Sequence, residues 1–368
     1  MDKKFVMGIA AMAALTLVSC SSDDLDSLSD NSSKNEAISF DGYLGRSAVA
    51  VNGSRGSEVT VTNLHTDGFG VFGYQNSSAT HSATESFDAN LFNNQKVTYD
   101  DTNKKWTYSP LKFWPSDGHI DFLAYAPYGV GTFENTYHLK FNVSETITGQ
   151  KDLLWTNATS KITADITKKK VNFQFHHALS RLGYTVRLTG DYSSSNVTFT
   201  LKKITLAGSA DETKKAFYKE GTIDLSKTPS SEGLWTNLSS DKQNFLNWSS
   251  SDKKLSNAET KNPDNEYLFV IPQDFSKDKT PGGPDVDELY VIVQYTIDYT
   301  DGTTPSVTNT VYKQIKKDFK QGKAYMLNLT LGLPIEFDVD VTSVGAGVDG
   351  WGTDEGINIG SNDTPWER

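Results

Sequence analysis

The chain has 368 residues and a formal net charge of −11, with 36% hydrophobic and 11% aromatic residues. That charge argues against a nucleic-acid binder, which needs a basic face. The frequency of aromatic and β-branched residues argues against a disordered chain, and the length suits two ordinary domains better than one.

The chain opens MDKKFVMGIAAMAALTLVSC, with Lys3 and Lys4 ahead of a short apolar run from Phe5 to Val18. That run is too short for a comfortable membrane span and fits a secretory signal, residues 1–19. Its end, LVSC at Leu17–Cys20, resembles a bacterial lipobox, which implies acylation of Cys20 as the first mature residue. Several acyl chains on one cysteine anchor firmly, whereas one chain holds only marginally. Cys20 is the only cysteine, so no internal disulfide forms. Residues 20–36 continue as SSDDLDSLSD and further polar residues, a flexible acidic tether. No later apolar run approaches the length of a transmembrane helix.

Period-two alternation dominates the remainder of the chain, so the fold class is all-β. Ala37–Leu44, AISFDGYL, reads as a first strand with Ile38, Phe40, Gly42 and Leu44 facing inward. The polar, small-residue loop GRSAVAVNGSRGSE comes next, carrying Arg46 and Arg55 where a protease can reach them. Thr98–Tyr108 reads as a hairpin. In WPSDGHIDFLAYAP, Ser116-Asp117-Gly118 make a turn, and His119–Ala126 a strand with His119, Asp121, Leu123 and Tyr125 on one face. A domain boundary is expected near Asp165–Lys170. Val197, Phe199 and Leu201 alternate, as do residues of Glu288–Tyr299 and Ala324–Leu331. Ser249–Glu266 and Ser276–Glu288 read as polar surface excursions, and Asp301-Gly302 as a hairpin tip. Pro334–Val341 is a strand carrying Ile335, Phe337, Val339 and Val341, and residues 342–368 form a glycine-rich acidic tail. About sixteen such runs, joined by local turns, predict antiparallel sandwiches.

Candidate chemistry is sparse. His119 could act as a base oriented by Asp117 or Asp121, but no nucleophile or metal motif accompanies it, so a structural hairpin is expected. His176-His177 point to opposite faces of a strand and cannot share an ion. His65, His81 and His138 lie singly. The acidic run Asp338–Gly356 lacks calcium-loop spacing. No catalytic, cofactor or metal residues are assigned, and no cofactor is expected. Trp235 and Trp248 sit in polar contexts where an exposed aromatic platform for a glycan would sit.

Several pieces, in order, resemble the fimbrillin family of Bacteroidetes, the type V pilins. They are Trp106-Tyr108-Lys112-Phe113-Trp114-Pro115 with DFLAYAP after it, FHHALSRL at Phe175–Leu182, LFVIPQ at Leu268–Gln273 and GKAYMLNLTL at Gly322–Leu331. The polar run after Cys20 also resembles the signal that sends lipoproteins of these bacteria to the outer face of the outer membrane. The resemblance implies two transthyretin-like β-sandwich domains in series, residues 37–169 and 170–341, and a building block of surface fibres. It implies that an arginine-specific protease, cutting at Arg46 or else Arg55, releases the first strand with Ile38, Phe40 and Leu44. A strand from another fimbrial subunit then takes its place, with Ile335, Phe337, Val339 and Val341 as the candidate donor. Its partners are other fimbrial subunits, the outer membrane through Cys20, and a host or bacterial surface ligand left unnamed. Two rival readings are a monomeric glycan-binding lipoprotein and a β-sandwich hydrolase with a converging carboxylate pair.

Overall fold

The structure, a computed structural model, describes residues 37–44, 61–82, 84–161, 170–227, 234–249, 252–263, 266–279, 281, 283, 285–332, 336–343 and 363–364. Cys20, Arg46, Arg55, Ile335, the tether, the expected boundary segment 165–169 and most of the C-terminal tail lie outside the described residues, as do the side chains of Leu44 and Phe337.

Alternating apolar residues make strands because successive side chains leave opposite faces of the backbone. In the first half these strands are β1 (Ser39–Leu44), β2 (Phe69–Asn76), β3 (Phe92–Asp100), β4 (Lys105–Thr107), β5 (His119–Ala126), β6 (His138–Asn142), β7 (Leu154–Lys161) and β8 (Lys170–His177). One short helix, α1 (Val61–Asp67), precedes β2. All but β6 join one sheet in the order β1-β8-β7-β5-β2-β3-β4. The sheet curls until its two ends meet. At the closure Ala37 bridges Phe113, and the Ile38 amide donates to the Lys112 carbonyl at 2.8 Å. Inside the curl sits an aromatic-rich core that includes Phe40, Phe69, Phe92, Phe122 and Phe173.

β5 is buried at every position because both its faces are covered. Ile120, Phe122 and Ala124 enter the core just described. Leu123 and Tyr125 enter a second, larger one. The turn before β5 depends on Gly118, whose φ is +90° and where a Cβ would lie 1.9 Å from the Asn76 carbonyl oxygen.

The second half supplies β9 (Ser180–Leu188), β10 (Val197–Ala207), β11 (Leu289–Tyr299), β12 (Val307–Ile315), β13 (Ala324–Gly332) and β14 (Glu336–Ser343). β10, β11 and β12 form one sheet with Phe245–Ser249 beside β10; β9, β13 and β14 form another with Thr260–Lys261 beside β9. Tyr184 and Leu327 from one sheet and Leu201 and Tyr295 from the other meet in the larger core. Leu123, Phe141 and Trp155 join the same core from the first half. Glu220–Asp224 pairs with β6, a further tie between the halves.

The all-β class is as expected, and most pairings are antiparallel. Among the described residues two pairings depart from that pattern: β1 runs parallel to β8 and β9 runs parallel to β13. Parallel neighbours need a long connection, which places β1 beside a strand more than a hundred residues later. The excursion expected at Ser249–Glu266 is not wholly peripheral. Its segments Lys253–Leu255 and Thr260–Lys261 add to β10 and β9, because Leu255 is apolar and buried.

Candidate functional site: the first strand and its groove

β1 is an edge strand with an apolar underside. Ile38 and Phe40 are both buried. The Phe40 ring stacks on Phe173 at 5.6 Å and meets Phe92 at 5.4 Å and Phe122 at 5.8 Å edge-on. Such offset and edge geometries are the favoured ones for aromatic pairs. Gly42 continues the inward set. A Cβ there would stand 3.1 Å from the Phe69 ring and 3.2 Å from the Phe175 ring, so glycine leaves room for both.

The backbone of β1 is held unequally on its two flanks. Along one flank all six residues are in register with β8, from Ser39 opposite Lys170 to Leu44 opposite Phe175. On the other flank the contacts are the Ala37–Phe113 bridge, the Ile38 amide, and the Tyr108 hydroxyl, which donates to the Ile38 carbonyl at 2.7 Å. Burial pushes the Tyr108 hydroxyl pKa up, so it stays a donor at ordinary pH. The pairing is thus continuous on the β8 flank and confined to the start of β1 on the other. β1 therefore covers the β8 edge, and Ile38 and Phe40 fill the pockets beside it.

The candidate donor is also an edge strand. β14 pairs antiparallel with β13 from Glu336 opposite Gly332 to Ser343 opposite Tyr325. Val339 and Val341 are half-buried against the larger core. Asp338 and Asp340 face solvent, and Asp338 pairs with Lys313. The acidic alternation here is therefore the solvated face of an edge strand. Farther on, Asp363–Thr364 pairs with Thr159 and Ser160 of β7.

The polar residues singled out in the sequence scatter. His177 bonds Asp152 at 2.7 Å, both buried, while His176 is on the opposite face. His65 stacks on Tyr99 with centroids 3.6 Å apart, and burial lowers its pKa. His138 lies 3.7 Å from Asp224. Trp248 is buried and its Nε1 donates to the Glu266 carbonyl, so it offers no platform for a sugar. Trp235 is half-buried and donates to the Ala178 carbonyl. Asp117 is an exposed turn residue. His119 does approach Asp121, at 3.6 Å, and two residues the sequence does not link to them, His81 and Glu85, complete a cluster. The visible signal is a histidine and an aspartate two apart on the apolar face of a buried strand.

Comparison with known proteins agrees with this architecture. The model of the fimbrillin-like family matches residues 57–351, beginning after β1 and Arg55. The fimbrium subunit Fim1C of Phocaeicola vulgatus is 27% identical over 386 residues, covering 95% of this chain and 97% of that protein. The crystal structure of a fimbrial protein from Bacteroides vulgatus superposes with a TM-score of 0.60 at 20% identity, covering 85% of this chain and 99% of the other. That last likeness concerns the fold. With four-fifths of its length inside the family match, the chain belongs to the fimbrillin-like family and is a structural subunit of cell-surface fimbriae.

Proposed function

We propose that this fimbrial subunit is exported as a lipoprotein acylated at Cys20, loses β1 to a protease cutting at Arg46 or Arg55, and then assembles by strand addition. The two sandwiches expected from the sequence would then be linked between neighbouring subunits by a shared strand. The observation that supports this reading is the seating of β1. It is an edge strand whose inward side chains fill the core, and in the sequence it directly precedes the polar stretch that carries both arginines.

The energetics are of the right size. Burying Ile38 and Phe40 contributes about 1.5–3 kcal/mol each, and each main-chain bond to β8 adds roughly 1 kcal/mol. That holds the strand while the chain is intact. After cleavage the strand is a separate short peptide, and dilution favours its release. An incoming strand that alternates apolar residues, such as β14 with Val339 and Val341, recovers the same terms. To donate, β14 must first leave β13, or the tail beyond it must serve instead. Acylated Cys20 would keep the precursor at the outer membrane until β1 and the tether are cut away together.

The direct test uses a synthetic peptide of the sequence AISFDGYL. Added to the processed protein, it should rebind one per chain and block assembly. A peptide with Ile38 and Phe40 both replaced by serine should do neither. Equal behaviour of the two peptides would remove the basis for strand addition at this groove.

A further inference from the structure

We propose that His81, Glu85, His119 and Asp121 form a binding site for a divalent transition-metal ion of the zinc class. The site fastens the segment between β2 and β3 to the core strand β5. Each residue offers one ligand atom, and the four atoms lie within 4.8 Å of one another.

His119 is the central observation. Its side chain is fully buried, at 0% exposure. Nδ1 lies 2.6 Å from the Ser78 carbonyl oxygen. A carbonyl only accepts, so Nδ1 carries a proton, and Nε2 is the ring atom aimed into the cluster. A metal-bound histidine is held in this same way, with its other ring N–H given to a carbonyl or carboxylate. Nε2 itself makes no hydrogen bond. It faces Glu85 Oε2 at 3.4 Å and Asp121 Oδ2 at 3.6 Å. A charge-assisted hydrogen bond would close to about 2.7–2.9 Å. Tetrahedral bonds of about 2.0–2.1 Å instead hold ligand atoms about 3.3 Å apart, close to both separations.

The fourth ligand comes from His81, whose Nδ1 lies 2.7 Å from Asp121 Oδ2. In the metal-free protein that contact is a hydrogen bond; the ion takes the place of its proton, and the edge opens by roughly half an ångström to reach tetrahedral spacing. A divalent ion also sits between two carboxylates in a place where Asp121 is 2% exposed and Glu85 10%, so the charges of ion and ligands offset one another away from water. Access is from the His81 side, which is 15% exposed. Two imidazoles among four ligands favour zinc and its first-row neighbours over calcium, which takes six to eight oxygens.

The supports are rigid. His119 and Asp121 stand on β5, paired on both sides by β2 and β7. Glu85 is two residues from Phe87, which is buried in the larger core. Metal binding here joins the connection between the neighbouring strands β2 and β3 to β5, so it stabilises the folded subunit.

The test uses purified full-length protein stripped with chelator. It is titrated with Zn²⁺ alone by calorimetry, its bound metal is counted by elemental analysis, and its thermal unfolding is monitored. One zinc per chain, a higher Tm with zinc, and an X-ray absorption spectrum with two imidazole nitrogens are expected. His81→Ala and Glu85→Gln, both at the rim, should each weaken binding about tenfold or more, since even an outer partner of a ligand is worth that much. Should a variant fail to fold, the stoichiometry and spectrum of the unaltered protein decide. Absence of zinc above the buffer blank, calcium binding as tight as zinc, or binding unchanged in both folded variants would overturn the proposal.

Discussion

Phe40→Ala is the sharpest perturbation of the first strand. The ring is buried and packs on Phe173, Phe122, Phe92 and Phe69. Truncating a buried phenylalanine costs about 3–5 kcal/mol. The stacked and edge contacts put this site toward the upper end, because each aromatic pair adds about 0.5–1.5 kcal/mol beyond area. The backbone of β1 keeps its register with β8, so little of the cavity can close. Equilibrium unfolding in urea, monitored by tryptophan fluorescence, measures the loss, and Trp106 and Trp114 report from the same core. A second readout is kinetic. Once the chain is cut after β1, the same 3–5 kcal/mol shortens the residence time of the released strand by about two to three and a half orders of magnitude, at 1.4 kcal/mol per decade. A loss below about 1 kcal/mol, with unchanged release, would refute the claim that this core holds the strand.

Two other contacts give sharp expectations. Tyr108→Phe removes the hydroxyl that donates to the Ile38 carbonyl, costing about 0.5–1.5 kcal/mol; release of the cut strand should quicken up to about tenfold, with the remainder of the fold unchanged by circular dichroism. Asp301 tests the hairpin between β11 and β12. The Thr304 hydroxyl and then the Thr304 and Thr303 amides bond its carboxylate and lower its pKa from 3.8 to about 2. A folded-state pKa below the unfolded value means stability present above about pH 4 and lost as pH falls toward 2. Asp301→Ala should therefore lower Tm at neutral pH, and the gap from the unaltered protein should close between about pH 4 and pH 2. A gap that is constant across that range would contradict the assignment.

The strands themselves were legible in the alternation. Ile38 and Phe40 face inward as read, and β5 divides into the two faces expected from HIDFLAYA. The family resemblance carried by the Trp106–Pro115 pattern and the later motifs agrees with the family match. Pairing was not legible, because period two identifies a strand and not its neighbour. Nothing local in AISFDGYL says that β1 runs parallel to Lys170–His177. For the same reason Lys170–His177, expected to open the second sandwich, is seen only in the structure to complete the first sheet. The burial of Trp248 was hidden by its serine-rich surroundings, since a strand in polar company still turns alternate side chains inward. The histidine–carboxylate cluster escaped because its halves lie on separate segments, HSATE and HID. Only folding brings His81 and Glu85 over His119 and Asp121.

Strand exchange is the central claim, and limited digestion tests it most directly. Purified protein is treated with an arginine-specific protease, then resolved by intact mass and native gel. The account predicts cleavage at Arg46 or Arg55, loss of the segment carrying Ile38 and Phe40, and a ladder of oligomers. A chain that stays whole, or a cut chain that keeps its first strand and remains a monomer, would contradict it.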